Sequence, residues 1–321
     1  MTERLSDLDS AAQVVYSAMH PTPQQPWPLL DRRCGCKVWV KHENHTPVGA
    51  FKVRGGLVYF DYLRRTERNL LGVVAATRGN HGQSIGFAAS RMGIPAAVVV
   101  PHGNSKTKNA AMGALGAELI VRGQDFQASL EASAEIAAER GWHSVPSFHP
   151  LLVLGVASYS LELFRAAPHL DVLYVPIGLG SGICGAIAVR NALGLKTTIV
   201  GVVSAAAPAY ARSFALGRPV AHDATTRIAD GIACRMPDAS ALDTIRAGVD
   251  RIVEVTDDEV EEAMRAIFTD THNVVEGAGA ASLAALLQER DRLRGLTTAI
   301  ILTGANIDPE PFARVLGHEI S

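Results

Sequence analysis

Cysteine is scarce: Cys34, Cys36, Cys184 and Cys234 are the four in 321 residues. Their number and scatter exclude the disulfide framework of a small secreted scaffold. Cys34 and Cys36 have no second pair at zinc-site spacing, so no metal site is expected there. An excess of one charge is also missing, since 30 basic and 32 acidic residues are interspersed for a net charge of -2. The basic face that nucleic acid requires is absent from this pattern, and nucleic acid is not an expected partner. A charge-free, apolar run long enough to raise a membrane question, Val172 to Val189, holds Pro176 and the glycines 178, 180, 182 and 185. It reads as a strand, a loop and a helix start, and no membrane partner is expected. Met1 to Ser10 is acidic and lacks the basic-then-apolar order of a secretory signal, which sets the expectation of a cytoplasmic protein.

What is there is apolar and periodic. Hydrophobic residues make up 48% of the chain, enough for two domains of about 100 to 200 residues each. Short Val- and Ile-rich runs alternate with longer stretches of helical period, the mark of an α/β protein with open, mainly parallel sheets covered by helices. Strands are expected at Lys37–His42, Gly72–Ala76, Ala96–Val100, Glu118–Val121, Val172–Ile177, Thr198–Val203, Arg251–Val255 and Ala299–Leu302. Helices are expected at Gln83–Met92, Gln127–Glu139 and Asp257–Thr271 among others. Gly93 and Gly116 sit where a helix ends and a strand begins.

Three segments carry chemistry. Lys52 lies in Gly49-Ala50-Phe51-Lys52-Val53-Arg54-Gly55, a turn-rich stretch entering a helix. Alone, such a lysine is a snorkelling surface residue. Ala76-Thr77-Arg78-Gly79-Asn80-His81-Gly82-Gln83 stands where a strand gives way to a helix, a place with unpaired backbone N–H groups and a positive dipole end that suits a carboxylate. Pro176-Ile177-Gly178-Leu179-Gly180-Ser181-Gly182-Ile183-Cys184-Gly185 follows a strand and opens a helix, and reads as a phosphate cradle. Its Gly180-x-Gly182-x-x-Gly185 spacing also matches a dinucleotide fingerprint. The following strand, however, ends Gly201-Val202-Val203-Ser204 without the acid that binds a ribose. No Gly-Lys-Ser/Thr follows either, which excludes a Walker-type site.

Together these segments resemble the threonine and serine dehydratases of the fold-type-II pyridoxal phosphate family, from about Pro28 to Asn306. Gly49 to Gly55 is similar to the family's Gly-Ser-Phe-Lys-x-Arg-Gly, with Ala50 in place of serine. The resemblance implies that Lys52 forms a Schiff base with pyridoxal 5'-phosphate and later moves the substrate's α-proton. It also implies that Thr77, Gly79 and His81 hold the substrate carboxylate, and that Asn80 contacts the phenolic oxygen of the cofactor. Gly178, Leu179, Gly180, Ser181 and Gly182 stand for a phosphate cradle that is a run of glycines in the family. Phe51 and Glu276, the latter in Val275-Glu276-Gly277-Ala278-Gly279-Ala280, are implied beside the cofactor. Thr303, in Leu302-Thr303-Gly304-Ala305-Asn306, is the implied hydroxyl at the pyridine nitrogen.

Two places depart from the pattern. Arg78 replaces the small residue of dehydratases and the proton-carrying serine of racemases; arginine is too basic for that task, which weakens a racemase reading. Arg78 either adds a positive charge beside the substrate or turns outward. The acids of a family divalent-ion site correspond to Val203 and Ala209, so that site is not expected; Asp230-Gly231-Ile232-Ala233 is read as a turn.

The expected architecture is a large cofactor-binding domain (1–68 and 150–321) with a smaller one (69–149) inserted. The expected activity is elimination of water from a small 3-hydroxy-2-amino acid, giving a 2-oxo acid and ammonia. Racemisation or β-replacement on the same fold are the alternatives, and a non-catalytic binder of pyridoxal phosphate or amino acid is the alternative of another class. Threonine and serine are the default substrates; 3-hydroxyaspartate, an aromatic 3-hydroxy acid such as phenylserine and a hydroxylated diamino acid stay open because of Arg78 and the histidines. The family suggests a homodimer.

Overall fold

The computed structural model describes residues 3–317; Met1, Thr2 and 318–321, which the expected large domain includes, lie outside the described residues. The strands are β1 Gln24–Pro26, β2 Lys37–His42, β3 Val73–Ala76, β4 Ala96–Val100, β5 Glu118–Val121, β6 His143–Ser144, β7 Val172–Pro176, β8 Thr198–Ser204, β9 Arg251–Val255 and β10 Thr297–Leu302. The first helices are α1 Leu5–Tyr16, α2 Pro28–Cys34, α3 Lys52–Thr66, α4 Asn80–Met92, α5 Lys106–Ala114, α6 Phe126–Arg140 and α7 Pro150–Ala166. The rest are α8 Ser181–Ala192, α9 Ala209–Leu216, α10 Ala239–Gly248, α11 Asp257–Thr271, α12 Gly277–Gln288 and α13 Pro309–Gly317.

Six strands form one sheet in the order β1-β2-β10-β7-β8-β9, and four form a second in the order β5-β4-β3-β6. Every pairing is parallel except β1 with β2. Helices cover both faces, so β3, β4 and β7 are buried at every residue and read as unbroken apolar runs rather than alternating ones. The α/β class is as expected, and β2, β4, β5, β9 and α11 fall on their expected bounds.

The differences have local causes. Strand β1 was not expected, because its segment contains Pro21, Pro23, Pro26 and Pro28. It survives as a three-residue antiparallel edge on β2, a position that tolerates proline. The two-residue β6 is too short for any periodicity to show. Helix α4 begins at Asn80, three residues before the expected Gln83, since Gly79 (φ 156°) turns the chain directly into the helix.

Two features fix where α3 starts. The first is close packing on α7: a Cβ on Gly155 would fall 2.3 Å from the Arg54 carbonyl oxygen, so only glycine permits this approach. The second is a buried ionic cluster. Arg54 donates to Glu43 Oε2 (2.6 Å), Glu162 Oε1 (2.6 Å) and Ser158 Oγ (2.9 Å). Lys41 donates to Glu162, to the Thr22 carbonyl oxygen (2.8 Å) and to Gln24 Oε1 (2.8 Å). Two cations and two anions cancel, and each finds hydrogen bonds; this is the condition under which charge survives burial. The cluster ties the first turn of α3 to β2, α7 and the N-terminal segment.

Candidate active site

Both loops singled out in the sequence leave the C-terminal ends of parallel strands, where open α/β sheets place ligands. The 77–79 loop follows β3 and the 177–180 loop follows β7. They open on one cavity of about 1090 Å³. Phe51, Lys52, Thr77, Arg78, Gly79, Asn80, His81, the five residues 178–182, Glu276 and Thr303 all line it, so every expected site residue is brought together.

Lys52 reaches this cavity from the first turn of α3. The turn before it is stapled to the far end of the chain: Phe51 N–H donates to the Thr303 carbonyl (3.0 Å) and Ala305 N–H to the Gly49 carbonyl (2.9 Å). Gly49 has φ 67°, and a Cβ there would sit 2.9 Å from Asn306 Oδ1, so glycine is required twice over. Burial pushes the Lys52 amine down to about 8, with Glu276 opposing the fall. A substantial neutral fraction near neutrality is what a nucleophilic amine needs. The Phe51 ring lies beside it, its centroid 5.1 Å from Lys52 Nζ.

The 77–82 loop is shaped from within. Thr77 Oγ1 accepts from the N–H of Gly79 and of Gly82, both at 3.0 Å, so its oxygen organises the loop. Asn80 is oriented at both ends of its amide: Nδ2 donates to Glu276 Oε1 (2.6 Å), and Oδ1 accepts from Asn306 Nδ2 (2.8 Å). Burial, and then the Lys52 charge, push His81 down to about 3, which keeps it neutral, and its Nε2 has no hydrogen-bond partner.

The 178–182 loop has no room for side chains at its glycines. A Cβ on Gly178 would lie 2.6 Å from the Gly231 carbonyl oxygen, and Gly180 (φ 102°) caps α8 in the left-handed region. Tyr210 holds the loop from behind by donating to the Leu179 carbonyl (2.9 Å). Cys184 N–H is the first to close a helical bond, to Gly180, which leaves the N–H groups of Ser181, Gly182 and Ile183 at the helix N-terminus. Such an array accepts a phosphate.

Three residues were not assigned a role from sequence. Lys108, on α5, donates to Glu276 Oε2 (3.0 Å); burial opposes its charge, but Glu276 and then Asp230 outweigh this and raise its pKa. Asn306 orients Asn80. Asp230, read only as a turn, forms an ion pair with Arg78 (Nε to Oδ1, 3.1 Å) at the cavity wall, so Arg78 neither turns away nor stands uncompensated. Contacts made across 150 or more residues leave no local signal in a sequence.

A buried lysine of lowered pKa, a glycine-lined anion cradle and a hydroxyl at Thr303 suit a phosphorylated aromatic aldehyde. The fold and site thus fit an enzyme that holds such a cofactor in the cleft at the strand ends. The profile of the family described as "Pyridoxal-phosphate dependent enzyme" matches residues 15–304, and the chain belongs to that family. Its cofactor is pyridoxal 5'-phosphate, for which the residues fit. An L-threonine ammonia-lyase of Thermotoga maritima is 31% identical over 97% of this chain and 78% of its own. A threonine deaminase of T.th. superposes with a TM-score of 0.88 at 32% identity, covering 95% of this chain and 99% of that one. Maize serine racemase superposes with a TM-score of 0.91 at 26% identity, covering 98% and 97%.

Proposed function

We propose that the protein is a pyridoxal phosphate-dependent lyase that removes water from a 3-hydroxy-2-amino acid and releases a 2-oxo acid and ammonia. The observation that carries this reading is Lys52: its amine is held at about 8 in a cavity that also presents a carboxylate loop and a phosphate cradle. The similarity to threonine ammonia-lyase and threonine deaminase supports the same reading.

The bound cofactor supplies an electron sink that makes the substrate's α-proton removable. The chain supplies the rest. Backbone N–H groups of Ser181, Gly182 and Ile183 hold the phosphate, and Gly178 and Leu179 let it approach. Phe51 and Glu276 flank the ring, Asn80 offers its remaining amide proton to the phenolic oxygen, and Thr303 meets the pyridine nitrogen. A neutral hydroxyl there leaves the nitrogen unprotonated and weakens the sink, which favours elimination over transamination. The N–H groups of Asn80 and His81 at the start of α4, in the turn that Gly79 makes, receive the substrate carboxylate together with the neutral His81 ring and the Thr77 hydroxyl. Lys52 first anchors the cofactor, then as a free amine takes the α-proton. Racemisation needs a second proton carrier; Arg78, paired with Asp230, does not serve as one.

The larger unit in this reading is 1–68 with 150–321, the smaller is 69–149, and the assembly is a homodimer, which sedimentation equilibrium checks. No described helix is long and apolar enough to cross a membrane; a cytoplasmic location is proposed. The functional test is 2-oxo acid release by purified protein with pyridoxal phosphate across a panel of 3-hydroxy amino acids. Release by the wild type and none by Lys52→Ala is the expected result. Binding of the cofactor to Lys52 without release from any member of the panel overturns the reading.

A further inference from the structure

We infer that Arg78 selects a substrate with a second carboxylate on its β-carbon, so that the preferred 3-hydroxy-2-amino acid is 3-hydroxyaspartate. This rests on the dehydratase reading above.

Four cations line the cavity, and three are committed. Lys52 belongs to the cofactor. Lys108 is buried against Glu276. Arg235 uses both terminal nitrogens, on Asp125 Oδ2 and Asp223 Oδ1, each at 3.4 Å. Arg78 differs: its nearest anion is Asp230, with Nε 3.1 Å from Oδ1, its side chain is about half exposed, and its two terminal nitrogens make no hydrogen bond among the described residues. A guanidinium with that edge open can accept a carboxylate in the bidentate manner. Its position fits, since it stands between Thr77 and Gly79 in the loop assigned to the α-carboxylate. Arg78 lines the same cavity as Thr77, Asn80 and His81, which on this reading sets its side chain beside the substrate's β-substituent.

The alternatives fit less well. A distal ammonium would need a carboxylate of the cavity, and each of these already faces a cation: Asp230 faces Arg78, Glu276 faces Lys108, and Asp125 and Asp223 face Arg235. A methyl group, as on threonine, gives the guanidinium nothing to bind. The chemistry balances: the α-proton and β-hydroxyl leave as water, and water then hydrolyses the resulting enamine to oxaloacetate and ammonia. No oxidant or reductant is consumed.

The test compares kcat/KM of the holoenzyme for 3-hydroxyaspartate, threonine and phenylserine, in wild type, Arg78→Ala and Arg78→Lys. Calorimetric binding of succinate against butyrate, which do not react, is the second readout. The expectation is a preference for 3-hydroxyaspartate whose ratio over threonine falls about 10- to 100-fold in Arg78→Ala, the loss of a charged hydrogen-bond partner. Arg78→Lys restores part of it, and the preference for succinate over butyrate likewise falls in Arg78→Ala and returns in part in Arg78→Lys. Turnover of threonine or phenylserine but not of 3-hydroxyaspartate, or a ratio unmoved by Arg78→Ala, overturns the inference and leaves the dehydratase reading intact. No oxo acid from any substrate overturns both.

Discussion

The amide of Asn80 donates to Glu276 Oε1 over 2.6 Å, and the other oxygen of Glu276 receives Lys108 at 3.0 Å. One carboxylate at the start of α12 therefore holds two residues that follow strands of the four-stranded sheet. Removing it in Glu276→Ala strands a buried cation and is expected to lower unfolding free energy by about 3 kcal/mol. Because Glu276 also holds the Lys52 pKa up, both Glu276→Ala and Glu276→Gln move that amine below about 8. Urea denaturation and the pH dependence of Lys52 modification in the cofactor-free protein measure the two effects. A titration of Lys52 unchanged in both variants counts against Glu276 as its anion.

Lys52 itself is destabilising without the cofactor. Its folded pKa of about 8 lies below the ordinary 10.5, so the folded state holds fewer protons than the unfolded state between those values. Stability therefore rises with pH across that window, and the penalty of a buried charge is fully present below pH 8. Lys52→Met in the cofactor-free protein is expected to gain about 3 kcal/mol at pH 7 and nothing at pH 10.5. Equal stabilities of the two proteins at pH 7 would show that the amine is not desolvated.

These contacts mark how far the sequence was legible. Parallel strands buried on both faces announce themselves as apolar runs, and the segments around Lys52, Asn80 and Gly180 are contiguous, so their chemistry could be read locally. Lys108 sits in Lys106-Thr107-Lys108-Asn109, which has the composition of a solvated helix start, and nothing nearby marks it as the buried partner of a residue 168 positions on. Asp230 likewise shows its charge partner only when the loop after β3 is folded against it. Strand β1 was hidden by its prolines.

The cradle makes a steric prediction. In Gly178→Ala the new methyl must displace the Gly231 carbonyl oxygen from 2.6 Å, and that backbone adjoins Asp230. The expected result is a loss of pyridoxal phosphate affinity of at least about tenfold with a stability cost of about 1 to 3 kcal/mol, the range for overpacking. Equilibrium dialysis and thermal unfolding separate the two. Unchanged affinity would remove the 178–182 loop from the cofactor site.

Beneath Lys52, Glu162 accepts from Arg54 on both oxygens, at 2.6 and 3.0 Å, and neutralises Lys41 as well. Burial alone would raise its pKa, but Arg54 and then Lys41 outweigh this and hold it below the ordinary 4.5. A carboxylate lowered in this way stabilises the fold fully above pH 4.5, and the contribution is lost as pH falls through its folded value. Glu162→Ala leaves two buried cations with one remaining anion, Glu43, and is expected to cost about 3 to 5 kcal/mol at pH 7. It should also flatten the acid limb of the stability curve below pH 4.5 relative to wild type. Because Arg54 is two residues from Lys52, the freed guanidinium would loosen the first turn of α3, so kcat should fall more than unfolding alone explains at temperatures where the variant is fully folded. Urea denaturation across pH 3 to 7, about the range that carboxylate linkage spans, measures the first two effects. A variant as stable as wild type at pH 7 would mean that the cluster is not what anchors α3.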